Sequence, residues 1–260
     1  MPLKNSLDSQ NLSIIVALKP IGKIMNNYKI LTLFLILSTC PSLNWADTSA
    51  KGDYQSFIPK NWKVLNKVEG DLNGDQQPDL ALIIENTNPK NIVNRDSYDK
   101  KPENQRLNLN ERKLLILLKD AHTYHQIASN TSLPSESNSE KKCLIDPLIV
   151  GNALNIQNQQ LKVTLNFSFR CQSWEVFNNV YTFRFKNQAF KLIGYDLYYF
   201  DIPSGNSRSE SSDFLTGKLK QSLSTPELDL KHSPQISRSK LKKAPLLKLE
   251  QINFALYIHY

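Results

Sequence analysis

The sequence predicts a mainly β domain, an antiparallel twisted sheet or a β-sandwich with a blade-like meander. Three observations predict it. Leu161, Val163, Leu165, Phe167 and Phe169 alternate with Lys162, Thr164, Asn166, Ser168 and Arg170. A period of two puts the five apolar groups on one face of a strand, and no helix keeps them together. Leu80-Ala-Leu-Ile-Ile84 and Leu114-Leu-Ile-Leu-Leu118 are short, continuous apolar runs between polar segments. Such runs read as strands buried on both faces. Tyr181-Thr-Phe-Arg-Phe-Lys186 repeats the alternation, and the Asn187-Gln188 turn feeds a long strand over Phe190–Phe200. Residues 153–200 therefore read as an antiparallel meander with one packed face and one wet face.

The remaining elements follow in chain order. Trp62–Val68 leads as a strand into the acidic segment Gly70-Asp-Leu-Asn-Gly-Asp-Gln-Gln-Pro-Asp79. Residues 87–112 are rich in Asn, Lys, Asp and Arg and read as a loop. Lys119-Asp120-Ala121 turns the chain into a hairpin partner at Tyr124–Ala128, and residues 129–142 are a polar loop. Residues 202–213 read as a flexible loop, and Phe214–Lys220 as a last edge strand. Residues 222–245 are rich in Ser, Pro and Lys and are expected to lack fixed structure.

The start of the chain reads as a targeting segment. From Met25 a short basic stretch precedes the apolar run Ile30–Leu37, and Ala46 is a plausible cleavage point. The run is too short for a membrane span of about 20 residues. The expected organisation is an upstream extension over 1–24, a signal peptide over 25–46, a β domain over 47–224 and a basic, partly disordered tail over 225–260. A periplasmic or secreted protein follows. A competing reading takes Leu37-Ser-Thr-Cys40 as a degenerate lipobox with Cys40 acylated.

Cysteine and charge sharpen this reading. Cys143 and Cys171 remain after cleavage, and two thiols in an oxidising compartment are most simply a disulfide. Closing that loop would stabilise by about 3–4 kcal/mol. The alternative is a reactive thiol. The whole chain has a formal net charge of +8. Residues 47–213 are neutral, with 20 basic and 20 acidic side chains, whereas residues 214–260 carry 8 basic and 3 acidic. The tail is either a solvated extension or an electrostatic, peripheral contact with an anionic membrane or glycan surface. Nucleic acid is disfavoured by the export signal.

The acidic segment is the candidate site. Asp71, Asn73, Asp75 and Asp79 place oxygen-bearing side chains at loop positions 1, 3, 5 and 9. A hard cation such as calcium takes six to eight oxygens at about 2.3–2.6 Å. Position 12 is Leu82, where a helix-loop-helix site needs a bidentate carboxylate, so that class is set aside. The bland alternative is a polar turn that holds no metal. The pattern Asp-x-Asn-x-Asp-x-x-x-Asp-Leu-Ala resembles the calcium loops of FG-GAP and VCBS repeats, in which the loop joins two strands of a blade. That resemblance implies Asp71, Asn73, Asp75 and Asp79 as side-chain ligands and Gln77 as a carbonyl ligand. The family has Gly after the third ligand and this chain has Gln76, which costs about 1 kcal/mol if held at positive φ.

An ordered set of further motifs resembles a group of exported bacterial proteins that carry no assigned activity. The set is Phe57-Ile-Pro59, Gly70–Asp75, Leu114–Leu118, Cys143, Ser173-Trp174, Tyr181–Arg184, Leu192–Asp196 and Leu215–Lys218. No second acidic loop and no internal period appear, which argues against a complete propeller.

Catalytic signals are few. His122, His125, His232 and His259 show no metal spacing, since His122 and His125 fall on a turn and a strand. No nucleophile elbow, zinc spacing or phosphate loop is present. Trp174, Tyr198 and Tyr199 are either core residues or a surface for a glycan or protein partner. The expected function is non-enzymatic, an exported domain with one calcium loop and a structural or interaction role in the cell envelope. The alternatives are an envelope hydrolase or inhibitor-like module, and a structural domain without a metal.

Overall fold

A computed structural model describes residues 54–94, 106–135, 145–148, 151–168, 174–225 and 234–255. All of them fall in the compact unit Thr48–Tyr260. The described strands are β1 (Trp62–Gly70), β2 (Asp79–Asn86), β3 (Ile92–Asn94), β4 (Arg106–Asn108), β5 (Arg112–Asp120), β6 (Thr123–Asn130) and β7 (Leu154–Gln157). They continue with β8 (Gln160–Ser168), β9 (Glu175–Lys186), β10 (Ala189–Asp201), β11 (Ser207–Asp213), β12 (Lys218–Ser224) and β13 (Gln235–Lys240). The domain is mainly β, as the periodicities predict.

Three antiparallel sheets result. A small sheet has the order β1-β2-β5-β6, a large one runs β13-β12-β11-β10-β9-β8-β7, and β3 pairs with β4. The apolar runs in β2 and β5 are explained by two partners. Ala81, Ile83, Leu114 and Ile116 pack with Leu161, Val163, Leu165, Phe167, Phe183 and Phe190 of the large sheet. On the opposite face, Leu80, Leu82, Ile84, Leu115 and Leu117 are covered by Tyr54, Phe57, Ile58, Trp62, Val64 and Tyr124. Each fully buried aliphatic side chain contributes about 1.5–3 kcal/mol of transfer free energy. The turn at Asn187-Gln188 has φ of 51° and 58°, and Asn158-Gln159 has 52° and 57°. Positive φ at both central residues is the twist-matched geometry of a two-residue hairpin.

Four sequence expectations are corrected. The segment expected as a flexible loop over 202–213 contains β11, which is paired on both sides, with β10 and with β12. Its Ser-rich sequence lacks an apolar period because the ladder, and not burial, holds it. The expected last strand at Phe214–Lys220 is a turn followed by β12, and β13 lies beyond it at the edge. The polar stretch 87–112 is partly regular, with a short 3₁₀ turn at Pro89–Asn91 capped by the Asn88 side chain, then β3 and β4.

The basic tail is the largest correction. Gln235–Lys240 form β13, and Leu249, Ile252 and Phe254 are buried in the main core. The Phe254 ring meets Tyr181 edge-on at 5.0 Å and Phe183 at 6.3 Å. The amide of Asn130 donates to the carbonyls of Leu249 and Ile252, both at 2.8 Å. Leu249 O also accepts from the Ile252 amide at 3.2 Å and Ile252 O from the Ser132 hydroxyl at 3.1 Å, so each carbonyl is held by two donors. The tail therefore closes one end of the sandwich.

Candidate functional site

The acidic loop joins β1 to β2 at the end of the small sheet. Its two anchors are sequence-local. Leu72 turns into the core and is buried. Gly70 leaves space for Ile156 of β7, whose Cγ2 would lie 2.6 Å from an added Cβ. Gly74 (φ 91°) and Gln76 (φ 65°) both adopt positive φ, so the chain reverses tightly just after the anchors. The strain expected at Gln76 is thus realised in the backbone.

The carboxylates converge. Single oxygens of Asp71, Asp75 and Asp79 lie within 4.8 Å of one another. Backbone amides hold them there. The Gly74 and Gln76 amides donate to Asp71 at 2.6 and 3.1 Å. The Gln77 amide donates to Asp75 Oδ1 at 2.8 Å, and Asn73 Nδ2 donates to Asp75 Oδ2 at 2.9 Å. Asn73 Oδ1 accepts from the Asp75 amide at 3.0 Å. The structure brings Asp71, Asn73, Asp75 and Asp79 into one hydrogen-bonded loop, with Gln77 attached through its amide.

Asp79 differs from the other two because it is buried. Its Oδ2 accepts from the Leu72 amide at 2.7 Å, and its Oδ1 from the Lys119 amide at 2.8 Å. It thereby ties the loop to the β5–β6 hairpin, a link of 40 residues that sequence spacing does not reveal. Burial pushes its pKa above the ordinary carboxylate range. The two amide bonds oppose that shift, and the charges of Asp75 and Asp71 add to it. Among the described residues none of the three carboxylates is ion-paired with a lysine or arginine. Three acidic oxygens this close, one of them desolvated, are a donor set suited to a hard cation.

A second carboxylate cluster sits at the far end of β2, and sequence reading missed it. Glu85 and Arg112 are 1% and 2% exposed. Arg112 Nε donates to Glu85 at 2.8 Å, and its two Nη atoms hold Asp146 in a bidentate pair at 2.7 Å each. Lys63 adds a contact to Glu85 at 3.0 Å. Burial works against the Arg112 charge, but Asp146 and then Glu85 overcome it, and its pKa stays above the ordinary value. Arg112 lies 27 and 34 residues from its partners, so only the fold joins them.

The other predicted residues are scattered. Trp174 and Tyr198 are 57% and 45% exposed. Tyr199 is half-buried. Its ring lies 5.0 Å from Phe177 and its hydroxyl donates to Glu175 at 3.0 Å. Burial, and then the Glu175 carboxylate, push its pKa up to about 12. Tyr199 therefore belongs with the core, unlike Trp174 and Tyr198. His122 and His125 are exposed, and His125 Nε2 lies 3.2 Å from the Thr123 hydroxyl. Cys40, Cys143, Cys171, His232 and His259 lie outside the described residues, as do the signal segment and its cleavage point.

Comparison with protein-family models, with curated proteins and with solved structures returns no match.

Proposed function

We propose that the protein is an exported, non-catalytic domain whose loop Asp71–Asp79 holds one calcium ion and so braces the β1–β2 connection. Its role in the envelope is structural or one of interaction. The observation that carries this reading is the approach of three carboxylates to within 4.8 Å of one another. Asp71, Asp75 and Asp79 would supply carboxylate oxygens, with Asn73 and the Gln77 carbonyl completing the shell. The ion would neutralise the charge that burial penalises at Asp79 and would lock Leu72 and the Lys119 turn to one centre. A filled shell leaves no open position for a substrate, which is why the loop is read as a brace and not as a catalyst.

The test is thermal melting of the chelator-treated protein with added calcium. At one hundred times Kd the bound form gains about 2.7 kcal/mol. For a unit of this size that raises Tm by about 5–10 °C. An unchanged Tm in millimolar calcium would remove the metal and leave a structural domain.

A further inference from the structure

At the end of the large sheet where β9 turns into β10, cations stand opposite cations. Lys191 faces Arg184 on β9 and bridges to Lys248 on its other side. Lys218 of β12 stands opposite Lys240 of β13, and one step further Lys220 stands opposite Arg238. Like charges directly opposite across a strand pair are destabilising. Among the described residues none of these cations forms an ion pair with a carboxylate. Asp213 stands opposite Lys218 and offsets part of its charge, while its Oδ1 accepts the amides of Leu215 and Thr216, which leaves the cations of this end in excess.

The same end exposes aliphatic groups. Leu215, in the turn between β11 and β12, is 52% exposed, and Leu247 is 48% exposed. Backbone bonds place them beside two adjacent residues of β10. The Phe214 amide donates to Ile193 O at 3.0 Å, and the Leu192 amide donates to Leu247 O at 2.8 Å. The Leu241 amide bonds Gly217 O at 2.9 Å, which sets the exposed Lys242 and Lys243 beside the turn.

Lysine on an edge strand guards against strand addition. That accounts for Lys240 and Arg238 on β13, but not for Lys218 and Lys220 on β12 or Lys191 on β10, which are interior strands. A second copy would set like charge against like. A soluble polyanion would leave the leucines in water. An anionic bilayer offers headgroup charge to the lysines and an apolar layer to the leucines. We propose that this end of the large sheet is a docking surface for an anionic lipid bilayer, with Leu215 and Leu247 entering the interface and the surrounding lysines reaching the headgroups. This surface gives the envelope role a partner and does not depend on an ion in the acidic loop.

The full chain is tested in chelator by co-flotation with two vesicle types. One is phosphatidylcholine alone, the other equal parts phosphatidylcholine and phosphatidylglycerol. Contributions of the apolar N-terminal segment are common to both, so the difference between them is read. The expected result is greater partition into the mixed vesicles, falling as salt rises. Lys218→Gln and Lys240→Gln should lower that partition about fivefold per lysine. Lys242→Gln with Lys243→Gln, outside the β12–β13 ladder, should act in the same direction without touching strand pairing. Leu215→Ser should weaken binding and leave its salt dependence unchanged. Equal partition into both vesicle types, or unaltered binding in both lysine pairs, would overturn the proposal. So would displacement from the vesicles by a soluble oligonucleotide. Chelator separates this outcome from the fate of the calcium reading.

Discussion

Strand β2 carries an acid at its first residue, Asp79, and at its last but one, Glu85, and its two ends solve the same electrostatic problem differently. Near its C-terminal end, Glu85 and Asp146 share a guanidinium, with Lys63 as a second cation on Glu85. The charges there are buried and balanced by the chain itself. At its N-terminal end, Asp79 joins Asp71 and Asp75 with amide donors only. Backbone amides soften the charge but do not cancel it. The first arrangement is a permanent clasp between β2, β5 and residues 145–148. The second has no such cation among the described residues, and in the function proposed above an ion from solution supplies it. The difference teaches what to seek in a carboxylate cluster, namely the presence or absence of a built-in counter-charge.

Breaking the clasp should have the largest effect. Arg112→Leu removes the guanidinium that Glu85 and Asp146 share and leaves Glu85 only the half-exposed Lys63 as a cation. Removing one partner of a buried pair costs about 3–5 kcal/mol, read as a lower denaturant midpoint with calcium present or absent. Asp79→Ala should come next, because it orphans the amides of Leu72 and Lys119. We expect a loss of about 2–4 kcal/mol in chelator, from about 1–3 kcal/mol for the buried Leu72 donor and about 1 kcal/mol for the partly buried Lys119 donor. Asp71→Asn with Asp75→Asn should differ in kind. In chelator these variants should lose about 1–2 kcal/mol, because each Asn can accept only one of the two bonds its Asp accepts, yet they should lose all response to calcium.

Acid sharpens the same contrast. Asp79 titrates above the unfolded carboxylate value, so the folded state holds its proton more tightly than the unfolded chain. Its contribution to the stability of the calcium-free protein therefore rises as pH falls through the raised folded pKa, and levels off below the unfolded value of 3.8. Asp79→Asn should abolish that increment. Proton and calcium compete for the same oxygen, so the calcium midpoint should move to higher concentration over the same window. The smallest expected change is Gln76→Gly, which relieves a residue at φ 65°. A gain of about 0.5–1 kcal/mol is expected, read as a higher Tm.

What was legible in the sequence was what is local. The alternation in β8 and the apolar runs of β2 and β5 encode their facing directly, because side-chain direction repeats every two residues. The acidic loop was legible for the same reason. Asp71 to Asp79 span nine positions, and their convergence needs only one tight turn. The clasp was not legible, since Arg112 stands at the end of a polar stretch and meets its partners only through tertiary folding. Leu249, Ile252 and Phe254 follow a Lys- and Pro-rich segment without a strand period, so their burial depends on the cap made by Asn130. β11 hid because Ser-Arg-Ser-Glu-Ser-Ser-Asp is held by backbone pairing alone.

The central claim concerns an ion at three converging carboxylates. Isothermal titration calorimetry of calcium into chelator-treated protein tests it most directly. The account predicts a saturable heat with one ion per chain, unchanged in size by Lys218→Gln and absent in Asp71→Asn with Asp75→Asn. A flat titration through millimolar calcium, or a heat that survives both aspartate substitutions, would contradict it.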